Sequence, residues 1–370
     1  MVFPVLSFFT GGGFFDLGFK QAGFSICWTN ENCPAFAEGY AHGMSAWLSS
    51  QNKKQAAKAA ISNTRSICAL TAKQVLKEAF DSSRPDVFGV VGGPPCPDFS
   101  TGGVHAGGNG INGKLTTTFV DMICLIKPQF FVIENVPGLY RFHKHREFLG
   151  KKIFQLQESG YALDYSILNA LEFGVPQDRE RLFVVGFKRP LAQTASGRKL
   201  AADERGWFPW PEIETYKRAK SLPWPKVTQF GKRPSKPHEI PIELTVFPAL
   251  LGNGDPEKVA NGREYFNPYS SKFKQVKEGD VSCKSFKRLH RYRFSPTAWY
   301  GNQEVHLHPW KPRRLSVREA LRIQSVPDDY VLPEAMSLSA KFKMICNGVP
   351  CLVAFNLARA VHRFLKRAVT

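Results

Sequence analysis

Short apolar runs, each ending in a polar or glycine-rich turn and separated by stretches of helical periodicity, constrain this chain most. Continuous apolar runs suit strands buried on both faces, and parallel strands joined through helices bury them in that way. The pattern predicts an α/β domain with a largely parallel sheet, its clearest strands at PVLSFF (4–9), DVFGVVG (86–92), QFFVIEN (129–135) and RLFVVGF (181–187). Helices are expected over 119–127, over 146–160 with Gly160 closing the last turn, over 317–326, and over 351–368 behind Pro350. From about 190 to 312 the periodicity fades, and that third of the chain holds 14 of the 26 prolines and five of the seven tryptophans. A separate loop-rich unit is expected there.

Four strand ends carry the chemistry. The first strand runs into Thr10-Gly11-Gly12-Gly13, where glycines let a backbone turn sharply and approach a ligand. A G-x-G-x-x-G fingerprint beginning at Gly11 would put a glycine where Asp16 stands, which weakens a nicotinamide or flavin reading. Glu31 closes a second apolar stretch, where a carboxylate suits the two hydroxyls of a ribose; both NAD and S-adenosylmethionine carry one, and a tight structural turn fits Gly11–Gly13 as well. Cys96, in VVGGPPCPDFS, is fenced by Pro94, Pro95 and Pro97 and followed by the glycine-rich stretch 101–113. A nucleophile has to be held rigidly and then covered by something that moves, although a lone cysteine is also an ordinary core residue. Glu134 ends the very apolar strand QFFVIE, where burial raises a carboxyl pKa; a plain strand-closing acid is the alternative. Gln177, Arg179 and Arg181 alternate along GVPQDRERLFVVGF, so an extended chain turns all three to one face, suited to a planar polar ligand or phosphates, or to a solvated strand edge.

Fifty Lys and Arg against 31 Asp and Glu give a net charge of +19, which favours a polyanionic partner, nucleic acid first; a generally basic surface without a specific ligand is the alternative. The eight cysteines show no Cys-x-x-Cys pair and no zinc-like spacing with histidine, so neither a disulfide framework nor a structural metal is expected, and a reducing cytoplasm fits. No stretch approaches the about 18–20 apolar residues of a membrane span, and the apolar N-terminus lacks the basic flank and cleavage site of a leader.

Six of these stretches, taken in order, resemble the C5-cytosine DNA methyltransferases: FFTGGGFFDLGFKQAGF, GGPPCPDFS, ENVPGL, QDRER, RRLSVREALRIQSVPDDY and CNGVP. The resemblance implies a Rossmann-like methyltransferase fold, with a mixed, mostly parallel sheet and helices on both faces, plus a smaller loop-rich target recognition domain. It assigns 1–190 to catalysis and cofactor binding, 191–312 to target recognition, and 313–370 to C-terminal motifs whose last helix packs back on the first domain. It implies that Cys96 adds to C6 of cytosine, that Glu134 acts at N3, that Arg181 contacts O2, and that Arg179 and Gln177 order the site. The methyl donor would be S-adenosylmethionine, held at Phe9, Thr10, Gly11, Gly13, Glu31, Asn32, Pro94, Asn347 and Val349. The partner would be double-stranded DNA, with the cytosine flipped out, the loop 97–115 closing over it, and Ser100, Lys284, Lys287, Arg288, Arg291 and Arg293 as contacts. The absence of added regulatory domains points to a monomeric prokaryotic modification enzyme, with a cognate restriction endonuclease as a possible partner. The chain departs from the family pattern at Pro97, where glutamine is usual, at Phe14, where a glycine is common, and at Gly348, where Ser or Ala is more usual; no carboxylate stands near Ser66-Ile67 for the adenine amino group.

Overall fold

The computed structural model describes residues 1–51, 59–81, 83–95, 111–252, 254–301 and 304–369. In chain order the larger elements are β1 (Pro4–Phe8), α1 (Phe14–Gln21), β2 (Ser25–Asn30), α2 (Pro34–Gln51), α3 (Ala72–Phe80), β3 (Gly89–Gly92), α4 (Ile111–Ile126), β4 (Phe130–Asn135), α5 (Gly138–Arg141), α6 (His143–Glu158), β5 (Tyr161–Asn169), β6 (Gln177–Asp178), β7 (Glu180–Lys188), α7 (Arg189–Ser196), α8 (Lys272–Gln275), β8 (Ser295–Pro296), α9 (Val317–Ile323), α10 (Leu338–Asn347) and α11 (Cys351–Val369).

One six-stranded sheet runs in the order β2-β1-β3-β4-β7-β5. The pairs β1–β2, β1–β3 and β3–β4 are parallel, whereas β7 lies antiparallel between β4 and β5. The four expected strands are present as β1, β3, β4 and β7, and β2 and β5 are additions at the two edges, β5 the longer. Its sequence YALDYSILN mixes polar with apolar residues, and its nine residues pair fully with β7. The direction of β7 matters for the site: four parallel strands end at one edge, and an antiparallel neighbour begins there.

Phenylalanines, valines and leucines of the strands fill both faces. One face packs under α1, α7 and α11 through Phe15, Phe19, Val353, Leu357 and Phe364; the other packs under α3, α4 and α6 through Val75, Phe119, Ile123 and Leu156. α4 begins eight residues before its expected start, and Gly160 follows α6 with φ +86°, the left-handed conformation that ends a helix. α9 opens on a reciprocal cap, in which Ser316 accepts from the Glu319 amide and Glu319 accepts from the Ser316 amide. The stretch Leu338–Val369 is, by length and composition, long and apolar enough to cross a membrane, contrary to the sequence reading; 67% of its most apolar window is buried inside the protein.

Several residues of the stretch just past 191 pack with the sheet. Leu200, Trp207 and Phe208 lie in the core beneath the sheet: the Trp207 ring sits 5.5 Å from Phe364, and its Nε1 donates to the Leu163 carbonyl. Beyond residue 213 the elements are short turns, α8 and the two residues of β8, which pair with β6. That unit shares one apolar cluster with α1, α2, α9 and α10. Much of its interior is charged. Arg291 makes a bidentate pair with buried Glu278 at 2.8 Å, Arg313 does the same with Glu319, Arg288 spends its guanidinium group on backbone carbonyls, and Arg314 donates to the Val305 carbonyl and the Tyr269 hydroxyl. Bidentate pairing and multiple hydrogen bonds are what allow charges to stay inside.

Candidate active site

The carboxyl ends of β1 to β4 bring the site together. Past β1 the chain bends at Phe9, whose φ of +54° is rare for a bulky residue and marks a constrained position. Its half-buried ring meets Phe119 edge-on at 5.5 Å. Gly13, at φ +73°, closes a turn onto the Thr10 carbonyl and caps α1. Glu31, just past β2, ties the two loops: one carboxylate oxygen accepts from the Gly11 amide at 2.9 Å and the other from the Cys33 amide at 2.8 Å. A carboxylate oxygen has further lone pairs, so hydroxyls can still be received. The Thr10 hydroxyl is buried without a partner, and a Cβ at Gly11 would meet nothing within 4 Å. An orphaned hydroxyl beside open space is what a bound polar molecule would complete.

Glu134 ends β4, and Arg181 begins β7, so the antiparallel register brings them side by side: Arg181 Nε lies 2.9 Å from Glu134 Oε1. Burial raises the Glu134 pKa, and Arg181 and then Arg179 oppose it without cancelling it. The other Glu134 oxygen faces the end of β3, where a Cβ on Gly93 would stand 2.6 Å from it; only glycine leaves that carboxylate its place. Pro94 follows, buried. Cys96 and Ser100, and most of the glycine-rich stretch 101–113, lie outside the described residues.

Gln177, Arg179 and Arg181 meet different partners. Only Arg181 reaches Glu134. Arg179 is buried and donates to the carbonyls of Ala298 (3.3 Å), Cys346 (2.6 Å) and Gly348 (2.9 Å), and Gln177 accepts from the Ala298 amide at 3.4 Å. The β6–β8 pairing, with Thr297 donating to the Asp178 carbonyl at 2.6 Å, explains the difference, because it covers the first two side chains and leaves the third at the crevice. Arg179 thus fastens the loop-rich unit and the C-terminal motif to the start of β7.

Asn347 is exposed at the end of α10, and the Val349 side chain belongs to the core. Asn32 is exposed beside Glu31. Two departures from the family pattern turn out to be one contact: a Cβ at Gly348 would lie 2.2 Å from the Phe14 ring, so the larger residue at 14 occupies the space vacated at 348. Gly348→Ala should therefore destabilise the protein, by about 1–3 kcal/mol as overpacking does, and Phe14→Leu in the same chain should recover part of the loss. Thermal melting of the two single variants and the double variant reads this; equal losses with no recovery would refute the pairing.

Asp16 counted in the sequence only as a broken glycine pattern. It is buried, accepts from the Ser7 hydroxyl at 2.6 Å and the Tyr40 hydroxyl at 3.1 Å, and is pushed up to about 6 by burial. Tyr330, in VPDDY, donates to the Gly12 carbonyl at 2.6 Å. Together they brace the glycine turn from behind, a role that the sequence signalled only through a polar residue at a position that faces the interior.

Of the expected DNA contacts, Lys284 is exposed and Lys287 and Arg293 are half-buried, whereas Arg288 and Arg291 are interior residues consumed by carbonyls and by Glu278. The interior placement of those two guanidinium groups, most of whose donors are engaged, weighs against the expected phosphate contacts there.

The family model for C-5 cytosine-specific DNA methylase matches residues 3–363. The chain belongs to that family. The methylase is 42% identical over 365 residues to the type II methyltransferase M.NmeDI of Neisseria meningitidis serogroup C, covering 98% of this chain and 84% of that one. It is 32% identical to M.AplI of Arthrospira platensis, over 98% and 86% of the two chains. Among solved structures, a prophage-encoded DNA modification methyltransferase (E. coli) superposes with a TM-score of 0.62 at 21% identity over 98% and 99% of the chains, a likeness of fold. The methylase is a DNA (cytosine-5-)-methyltransferase, and its mixed, mostly parallel sheet is the Rossmann-like sheet of that family.

Proposed function

We propose that the methylase acts on a cytosine turned out of duplex DNA, through a covalent bond between Cys96 and C6, with Glu134 at N3. The observation that carries the reading is the Glu134–Arg181 pair at the shared strand edge, a buried carboxyl with a raised pKa beside a fixed cation. C5 of cytosine is a weak nucleophile. A thiolate adding at C6 pushes electrons through the ring to C5, and the charge that develops at N3 and O2 needs a proton and a cation. Glu134 supplies the proton to N3 and Arg181 contacts O2. After C5 is methylated its proton departs, the C6–sulfur bond breaks, and the thiolate is regenerated.

S-adenosylmethionine supplies the electrophilic methyl group. The residues around Gly11 fit it: Glu31 offers carboxylate oxygens to a ribose, Phe9 a ring face to adenine, and Thr10 an unsatisfied hydroxyl, with Gly13, Asn32, Pro94, Asn347 and Val349 forming the wall. A stacked base hides C6 from any side chain, which is the reason for flipping. The type II names of the relatives support a modification role at one DNA sequence, with Ser100, Lys284, Lys287 and Arg293 as candidate contacts and a restriction endonuclease sharing that site.

Duplex DNA carrying 5-fluorocytosine at the target tests the covalent step, because fluorine replaces the proton that must leave. A complex stable to denaturation is expected with the native chain and none with Cys96→Ser. A trapped complex with the serine variant, or none with either, overturns the thiolate route.

A further inference from the structure

The loop-rich unit carries a cavity of about 260 Å³ that no catalytic or cofactor group uses, and Lys284, Lys287, Thr297, Trp299 and Glu304 line it. Its chemistry is mixed in a particular way. Lysine ammonium groups supply donors, Glu304 supplies an acceptor, and Trp299, 54% exposed, presents a large apolar ring to solvent. Lys284 Nζ stands 3.8 Å from the Glu304 carboxylate and 5.7 Å from the Trp299 ring centre, so it steadies both. Trp299 is exposed, and an aromatic side chain left that open among charges suits a partner with flat faces and polar edges.

The position of this cavity relative to the chemistry is fixed by backbone. Ser295 and Pro296 pair with Gln177 and Asp178, Thr297 donates to the Asp178 carbonyl, and both the amide and the carbonyl of Ala298 are held, by Gln177 and Arg179. Trp299 is the next residue. Arg181, two residues beyond Arg179, holds Glu134. The cavity is therefore tied through the β6–β8 pairing to the chain segment that leads into Arg181.

We propose that this cavity is the specificity pocket for one G·C pair beside the target cytosine, with Lys287 donating to guanine O6 and N7, Glu304 accepting from the cytosine N4 amino group, and Trp299 packing on the adjoining step. In the major groove only a G·C pair offers two acceptors on one base and an amino donor on the other in that order, and lysine with glutamate is the matching side-chain set. The inference rests on the DNA methyl-transfer reading above and adds the base that is read.

The test is bisulfite sequencing of genomic DNA from cells lacking their own cytosine methylation and expressing the native chain, Lys287→Met or Glu304→Gln. The native chain should methylate one motif containing a G·C pair besides the target pair. Both variants should relax the same position of that motif, so that the preference for the cognate site over sites with A·T there falls about tenfold or more. An unchanged motif in both active variants, or a native motif without such a pair, overturns the pocket. If a variant yields no methylation, competition between the cognate duplex and one with that pair replaced reads the same discrimination: its loss supports the pocket, and its retention overturns it. Absence of 5-methylcytosine with the native chain would count against the proposed function instead, so the two failures are separable.

Discussion

Glu134→Gln is expected to lower kcat about 10²–10⁴-fold while leaving cofactor and DNA affinity within about threefold of the native values. Glutamine keeps the shape and can still accept from Arg181 Nε at the observed 2.9 Å, so the strand edge and the Gly93 contact survive. It cannot pass a proton to N3, and that is the loss. The pH profile separates a proton donor from a structural acid. Burial raises the Glu134 pKa, so the descending limb of native kcat/KM should lie above the ordinary carboxylate range, with activity falling as pH rises through that pKa. The variant should lose that dependence along with the rate. A kcat within fivefold of native, or an unchanged profile, would remove Glu134 from the chemistry.

Mild acid should unfold the loop-rich unit before the sheet. His290, His306 and His308 are buried there; burial lowers His290 to about 4, His306 to about 3, and His308 well below 6.5. Cations add to the effect, Arg293 and Arg291 around His290, Lys287 and Arg314 around His306, and Arg313, Lys311, Arg288 and Arg291 around His308. Glu278 favours the charged form of His290, and Glu319, 3.5 Å from His308, is already committed to Arg313. With a folded pKa below the unfolded value near 6.5, each imidazole is neutral in the fold and protonated in the unfolded chain over that window. Its stabilising effect is complete above pH 6.5 and is lost as pH falls toward 4, at up to about 1.4 kcal/mol per pH unit for each group. Three such groups suffice to melt a marginal unit by about pH 5. Tryptophan fluorescence, to which Trp224, Trp299 and Trp310 of that unit contribute, should show a first change at higher pH than the far-ultraviolet helix signal; His306→Gln and His308→Gln should shift that first midpoint to lower pH. A single transition for both signals, unmoved by the substitutions, would contradict the assignment.

The apolar runs determined most of the sheet, because a strand buried on both faces must be written in Val, Ile, Leu and Phe, and VVG, FFVIEN and RLFVVGF can be little else. They could not give direction. An antiparallel β7 and a parallel one have the same composition, yet only the antiparallel one starts at the edge where β4 ends, and that reversal is what brings Arg181 to Glu134. The spacing of Gln177, Arg179 and Arg181 correctly put them on one side of an extended chain, but which partner each meets depends on residues 298, 346 and 348, more than 100 positions away. Likewise the basic and aromatic run KSFKRLHRYR reads the same whether its cations face DNA or carbonyls, and burial gave Arg288 and Arg291 to the interior while leaving Lys284 and Lys287 at the cavity. By itself, then, the sequence determined the family and most of the sheet, since buried strands and the turns at their ends demand particular residue types in a particular order. Tertiary structure alone decided which reactive groups touch, because long-range packing distributes identical side chains between the crevice, the surface and the core.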